Sequence, residues 1–342
     1  MAKNKKFPDD YFEHDKQSLK MDIDKTPNLI KESYNQDLRN QLEKIETENV
    51  NSIFFCGMGG SSISGALLSC YLRDEGLRFE IVKNYDLPSH VSKEDIVFIT
   101  SYSGNTEETR SCYRQARRLG CQVIIVSSGG ALKEAATEGR LPFIQVRKGL
   151  QPRAALPSLF FSKLRVLEQL GLIQMKTQDV QELLNFLRKH VFDDMAVKLA
   201  KKLRNQQPYI YSSEDNYAVA YRWKTQFNEN AKIGAHSNRI PEMNHNEICM
   251  FENEGDNIHA FFLSFDSDKS RLKKRMSINK DLLTENGVET TQIDIKGGLL
   301  KSLFTAVLIG DYTSYYLALL YETDPSPVHV IESLKDKMGP FI

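Results

Sequence analysis

The first fifty residues carry apolar positions at helical spacing. Met21, Ile23, Leu29, Ile30, Leu38, Leu42 and Ile45 recur among charged and polar neighbours, which predicts a helical segment over residues 1–50. The rhythm then changes. Ile53-Phe54-Phe55-Cys56 is a short apolar run, followed by the glycine-rich turn Gly57-Met58-Gly59-Gly60-Ser61-Ser62 and a helix-like stretch from Ile63 to Leu72. Residues 79–82, 96–99, 122–126 and 143–146 read as further strands, with a helix from about Glu107 to Leu119. Short apolar strands alternating with helices predict a mainly parallel sheet covered on both faces.

The second half repeats this order in a degraded form. Pro208-Tyr209-Ile210-Tyr211 reads as a strand, followed by a turn and a helix around Ala218 to Phe227. Residues 258–263 read as another strand, followed by a helix from Leu272 to Leu283 and a strand at 291–295. Phe98-Ile99-Thr100-Ser101-Tyr102-Ser103 lines up loosely with Phe262-Leu263-Ser264-Phe265-Asp266-Ser267. The expectation is therefore two related α/β halves, at 51–158 and 208–342, joined by a helical connector over 159–207. The apolar run from Tyr312 to Tyr321 fits either an internal core helix or a face turned to a partner chain.

Composition narrows the setting rather than the fold. Lys plus Arg and Asp plus Glu each number 45, so the formal charge is zero. This argues against binding nucleic acid or an anionic membrane through bulk positive charge, and leaves room for a local basic pocket. The N-terminal stretch has no apolar signal core. The apolar stretch 299–321 is broken by Lys301 and Asp311, short of the roughly 18 uncharged residues a membrane span needs. Cys56, Cys70, Cys112, Cys121 and Cys249 are odd in number and contain no CxxC pair, so reduced thiols are expected rather than disulfides or zinc ligands. A cytoplasmic protein with no nucleic-acid and no membrane partner is the expectation.

Two loops carry candidate chemistry. The turn Gly57–Ser62 follows a strand as in a dinucleotide fingerprint. Its third position, however, is Ser62 rather than glycine, and the next strand ends in Lys83 and Asn84 rather than an acidic residue. Both departures weigh against NAD, although the glycines still let a ligand approach the backbone. The second loop is Ser101-Tyr102-Ser103-Gly104-Asn105-Thr106. Its hydroxyls converge with free N–H groups at the positive end of the following helix, a phosphate cradle made of neutral donors. A capping pair of Asn105 with Glu108 is the simpler alternative and leaves Ser101, Ser103 and Thr106 unexplained.

FCGMGGSSISGALL and ITSYSGNTEET resemble the sugar-isomerase (SIS) domain. Gln151-Pro152-Arg153-Ala154-Ala155, Pro241-Glu242-Met243-Asn244-His245-Asn246-Glu247-Ile248, Gly310-Asp311-Tyr312-Thr313-Ser314 and Asp324-Pro325-Ser326-Pro327, then Leu334-Lys335, follow in order. Together they resemble the bifunctional phosphoglucose/phosphomannose isomerases over nearly the whole chain. The resemblance implies two SIS-type three-layer α/β/α subdomains with mainly parallel five-stranded sheets. It also implies interconversion of glucose or mannose 6-phosphate with fructose 6-phosphate through an enediol, no cofactor, no metal, and a homodimer with a shared active site.

Carried over position by position, the resemblance puts the substrate phosphate on Gly60, Ser61, Ser101, Ser103 and Thr106. Arg153 is placed near the reacting carbons, where a fixed cation stabilises an enediolate. Glu247 is implied as general base, suited to the task especially if burial raises its pKa. Lys335 is expected near the ring oxygen or O1. The family's ring-opening histidine has no match at Asp268-Lys269-Ser270-Arg271, so the role falls to Lys269 or to another histidine, His259 first, with His236 and His245 as further options. The aspartates of this second-half loop would repel phosphate, which predicts one phosphate site per chain, on the first half. A non-catalytic sugar-phosphate sensor and an isomerase for another phosphosugar are the alternatives.

Overall fold

The computed structural model describes residues 7–253 and 256–341. The chain divides into two units, one formed by residues 24–184 with residue 341, the other by the described parts of 1–23 and 185–340.

In the first unit, β1 (Ile53–Cys56), β2 (Phe79–Val82), β3 (Ile96–Thr100), β4 (Gln122–Ser127) and β5 (Phe143–Gln145) form a parallel sheet in the order β2-β1-β3-β4-β5. The apolar runs that predicted strands are buried on both faces. Side-chain alternation divides them. Phe54, Cys56, Val97, Ile99, Val123 and Ile125 join Cys112, Ala116, Leu132 and Ala136 of the Glu107–Leu119 and Ala131–Gly139 helices in one core. On the other face Phe55 meets the Gly59–Tyr71 helix at Gly65, where an added Cβ would lie 2.6 Å from the Phe55 Cβ. Gly65 thus supplies the close helix-to-strand contact that Ser62 does not.

The second unit holds β6 (Gln207–Ser213), β7 (His236–Ile240), β8 (Ile258–Phe265) and β9 (Glu289–Ile295), all parallel, in the order β7-β6-β8-β9. This is the winding of β2-β1-β3-β4, so the two halves share one topology. The expectation of five strands in each half is met in the first; for the second it is corrected to four among the described residues. After β9 the chain passes through Gly297 and Gly298 into the 22-residue helix Leu299–Leu320, where a fifth strand would have followed. That helix is long and apolar enough to cross a membrane, and 89% of its most apolar window is buried inside the protein. It is a core helix, crossed by Trp223 at Gly310 and joined to the Tyr217–Gln226 helix by the buried pair Arg222–Asp311 at 2.8 Å. The run Tyr312–Leu320 therefore faces the interior of its own unit.

The described part of the N-terminal segment, 7–50, and the connector 159–207 are each divided between the two units. Leu29, Ile30 and Tyr34 are buried in the first unit, where Tyr34 donates to Glu168 on the Leu156–Gln169 helix at 2.9 Å. Asp15 instead accepts from Tyr315 at 3.1 Å and Lys20 pairs with Asp193 at 3.1 Å, both within the second unit.

Candidate functional site

In the first sheet the chain winds one way from β1 to β2 and the other way to β3. The loops leaving the carboxyl ends of β1 and β3 therefore diverge and open a crevice, the usual ligand position in such sheets. Both candidate loops lie there. The strand ends approach closely enough that a Cβ on Gly57 would lie 2.7 Å from the Thr100 carbonyl oxygen. The Ser61 hydroxyl accepts from the Tyr102 N–H at 3.3 Å and ties the loops together. Ser101 Oγ lies 2.8 Å from Thr106 Oγ1 and 3.5 Å from Ser103 Oγ, and accepts from the Gly104 N–H at 3.0 Å.

The loop is braced from behind. Gly104 has φ +76°, and a Cβ there would fall 1.8 Å from the Gly129 carbonyl oxygen, so no other residue fits without backbone movement. Asn105 accepts from Ala131 N at 2.9 Å and so serves the next helix rather than its own. Thr106 is the N-cap of the Glu107–Leu119 helix, and its side chain makes no capping hydrogen bond. The capping alternative is thus not used, and the first-turn N–H groups stay available beside three hydroxyls. Gly60 sits against the Pro152–Ala155 turn, where a Cβ would lie 3.5 Å from Arg153 Cα. Arg153 is 3% exposed. The structure thus brings Gly60, Ser61, Ser101, Ser103, Thr106 and the backbone of Arg153 into one neighbourhood.

The second unit builds a different cluster. In the register of β6, β7 and β8, Tyr209 pairs with His236 and Ala260, and Tyr211 with Asn238 and Phe262. These residues share one face of the sheet. Glu247 opens the turn Glu247–Glu252 against that face, with its N–H held by the Asn246 side chain at 2.6 Å. Tyr211 donates to Glu247 Oε1 at 2.6 Å, while Asn238 donates to Oε2, which also lies 3.0 Å from His236 Nε2. Burial by itself would raise the Glu247 pKa. Hydrogen bonds from His236, Tyr211 and Asn238 outweigh it, and the carboxyl is held below its ordinary value. The expectation that burial would raise it is corrected: three donors to the charged form win over desolvation. Burial and the neighbouring carboxylate push the Tyr211 phenol far up, so it remains a neutral donor. Glu247 is an ionised, oriented acceptor, which is what proton abstraction from carbon needs.

The crevice between β6 and β8 matches the first sheet's crevice in position but is filled by the chain itself. Asp268, 6% exposed, accepts from Ser213 Oγ at 2.6 Å, Asn216 Nδ2 at 2.9 Å and Phe265 N at 2.8 Å. A carboxylate already occupies the donors that a phosphate would use.

The remaining candidates are placed as follows. His259 lies on β8 with its ring on the face opposite Ala260 and Phe262, hence opposite the Glu247 cluster. It stacks on Phe261 at 4.6 Å, with Nε2 on Thr291 Oγ1 at 2.9 Å. The sheet separates it from the proposed base, so its candidacy for ring opening is corrected. Lys269 is exposed at the start of the Ser270–Glu285 helix, and Lys335 is exposed on His329–Met338, a helix with no buried residue. Tyr211 and Asn238 were missed by sequence reasoning. The available signal was the spacing Tyr209-x-Tyr211 opposite His236-x-Asn238, hidden because β7 is too polar to announce itself as a strand. Among the described residues no group of three His, Cys, Asp or Glu side chains is arranged to hold a metal ion.

Comparison with known proteins matches residues 35–138 to the SIS domain and residues 192–338 to the bacterial phospho-glucose isomerase C-terminal SIS domain. A bifunctional phosphoglucose/phosphomannose isomerase of Caldicellulosiruptor bescii is 36% identical over 319 residues, 88% of this chain and 93% of that protein. Its counterpart in Aquifex aeolicus is 37% identical over 295 residues, 84% of this chain and 90% of that protein. Among solved structures, the tagatose-6-phosphate ketose/aldose isomerase of Escherichia coli superposes with a TM-score of 0.72 at 14% identity, covering 91% of this chain and 95% of that one. The last likeness concerns the fold alone.

Proposed function

The chain belongs to the bifunctional phosphoglucose/phosphomannose isomerase family, and from that premise we propose that it interconverts glucose 6-phosphate and mannose 6-phosphate with fructose 6-phosphate through an enediol. The observation that carries this reading is Glu247, a carboxylate kept ionised by Tyr211, His236 and Asn238. Glu247 takes the proton from C2 of the aldose and returns it to C1. Arg153 is assigned to the negative charge that develops on the enediolate. Gly60, Ser61, Ser101, Ser103 and Thr106 are assigned to the phosphate, and Lys335 to the ring oxygen or O1. The two aldoses differ only at C2 and share one enediol, so rotation about C2–C3 lets one base serve both.

Ring opening is assigned to Lys269 or to His236, the histidine in contact with the base. The Asp268 network supports a single phosphate site per chain. We take the enzyme to work in the cytoplasm as a homodimer with a shared active site. Light scattering over a dilution series tests the dimer: a mass that stays at one chain throughout rejects it. A coupled assay that starts from mannose 6-phosphate and reads glucose 6-phosphate tests the reaction, and absence of product leaves a binding role only. Glu247→Gln is expected to remove turnover while fructose 6-phosphate still binds; near-normal turnover rejects the base assignment.

A further inference from the structure

Lys163 stands on the Leu156–Gln169 helix of the first unit and is 0% exposed. Its Nζ donates to the Ser61 carbonyl oxygen at 3.4 Å and to the Ser64 hydroxyl, and lies 5.7 Å from the centre of the Phe55 ring. Both acceptors belong to the first turns of the Gly59–Tyr71 helix, whose start forms one wall of the phosphate crevice. Burial alone pushes the Lys163 pKa down, to about 7, and among the described residues no carboxylate forms an ion pair with it. A buried ammonium without a counter-ion is unfavourable. The group can shed its proton, or a dianion bound at the start of that helix can supply the missing negative charge.

Resting on the phosphate reading above, we propose that Lys163 is a positioning residue of the crevice: from behind the helix's first turn it holds Ser61 and lends positive charge to a dianion seated in front. A seated dianion favours the ammonium over the amine. Binding therefore draws a proton onto Lys163 near neutral pH, and affinity falls as pH rises above neutral.

Three other groups on the packed elements are pushed upward, away from neutral pH. Burial holds the Tyr34 phenol up to about 12 and the Tyr71 phenol higher still. The Cys112 hydrogen bond and burial push the Cys56 thiol up. Glu168 and Arg165 pair with each other at 3.1 Å, and Arg39 pairs with Asp37 at 2.6 Å.

Sulfate is a suitable probe, because it is a dianion that carries no titrating proton. The full chain is titrated with sulfate and with fructose 6-phosphate at pH 7, in two buffers of different ionisation enthalpy, so that calorimetry counts protons. The wild type is expected to take up a fraction of a proton with sulfate. A folded Lys163→Met is expected to take up none and to bind about tenfold more weakly, the order of one unit charge acting through several ångströms of protein. Wild-type affinity and proton uptake in that variant overturn the proposal. If the wild type binds neither ligand, the phosphate reading itself fails and takes this inference with it. Where Lys163→Met does not fold, Ser64→Ala removes one acceptor and is expected to move the peak of proton uptake to lower pH; an unmoved peak overturns the proposal.

Discussion

A fall in pH to about 5 should destabilise this protein through His259. The imidazole is 1% exposed, its Nε2 is bound to Thr291 at 2.9 Å, and its Nδ1 has no partner. Burial, with a smaller contribution from the charge of Lys202, pushes its pKa from the ordinary 6.5 down to about 4. The unfolded chain therefore takes up a proton near the ordinary value while the folded protein resists until about 4. Within that window the unfolded state binds more protons, so stability falls as pH falls; above the window the group contributes nothing, and below it the loss is complete. At pH 5 the imbalance is worth about 2 kcal/mol, rising to about 3 kcal/mol at full extent. Urea unfolding of the wild type and of His259→Gln at pH 7.5 and pH 5 measures it. The wild type should lose about 2 kcal/mol more than the variant. Turnover of His259→Gln at pH 7.5 should stay near wild type, because the sheet stands between this ring and Glu247. Equal sensitivity of both proteins to pH refutes the burial reasoning, and lost turnover in a folded variant refutes the assignment of His259 to structure.

Three further outcomes are expected. Tyr211→Phe removes one of the donors that hold Glu247 ionised, so the acid limb of the kcat/KM profile should move to higher pH; a purely structural role for Tyr211 leaves that limb in place. Thr106→Ala deletes a hydroxyl from the cradle and should weaken fructose 6-phosphate binding by roughly 1.5–3 kcal/mol, read as a rise in Kd with the thermal midpoint little changed. Asp311→Ala leaves the Arg222 guanidinium, 1% exposed, without its carboxylate, and should cost about 3–5 kcal/mol in urea unfolding.

How much of this was legible beforehand varies with the kind of residue. Ile53–Cys56 and Ile96–Thr100 are strands buried on both faces, so an unbroken apolar run marks them with no need of context. The serine loop was equally plain, since several hydroxyls at the start of a helix have few structural uses. β7 was not legible. It lies at the edge of its sheet, carries His236, Ser237, Asn238 and Arg239, and leaves no hydrophobic period to read. His259 misled because its distance from Glu247 along the chain says nothing about the sheet face its ring takes.

The sequence by itself determined the α/β rhythm, the repeated halves, the hydroxyl-rich loop and the family motifs. All of these are local, written in runs of a few residues. Only the tertiary structure decided the protonation state of Glu247, the burial of Lys163 and the closing of the second crevice by Asp268. Each of those depends on which polar groups meet across distant segments (Tyr211 and Asn238 on Glu247, Ser61 and Ser64 on Lys163, Ser213 and Asn216 on Asp268), and on water being excluded where they meet. Desolvation and hydrogen bonding act through space, and no spacing along the chain encodes them.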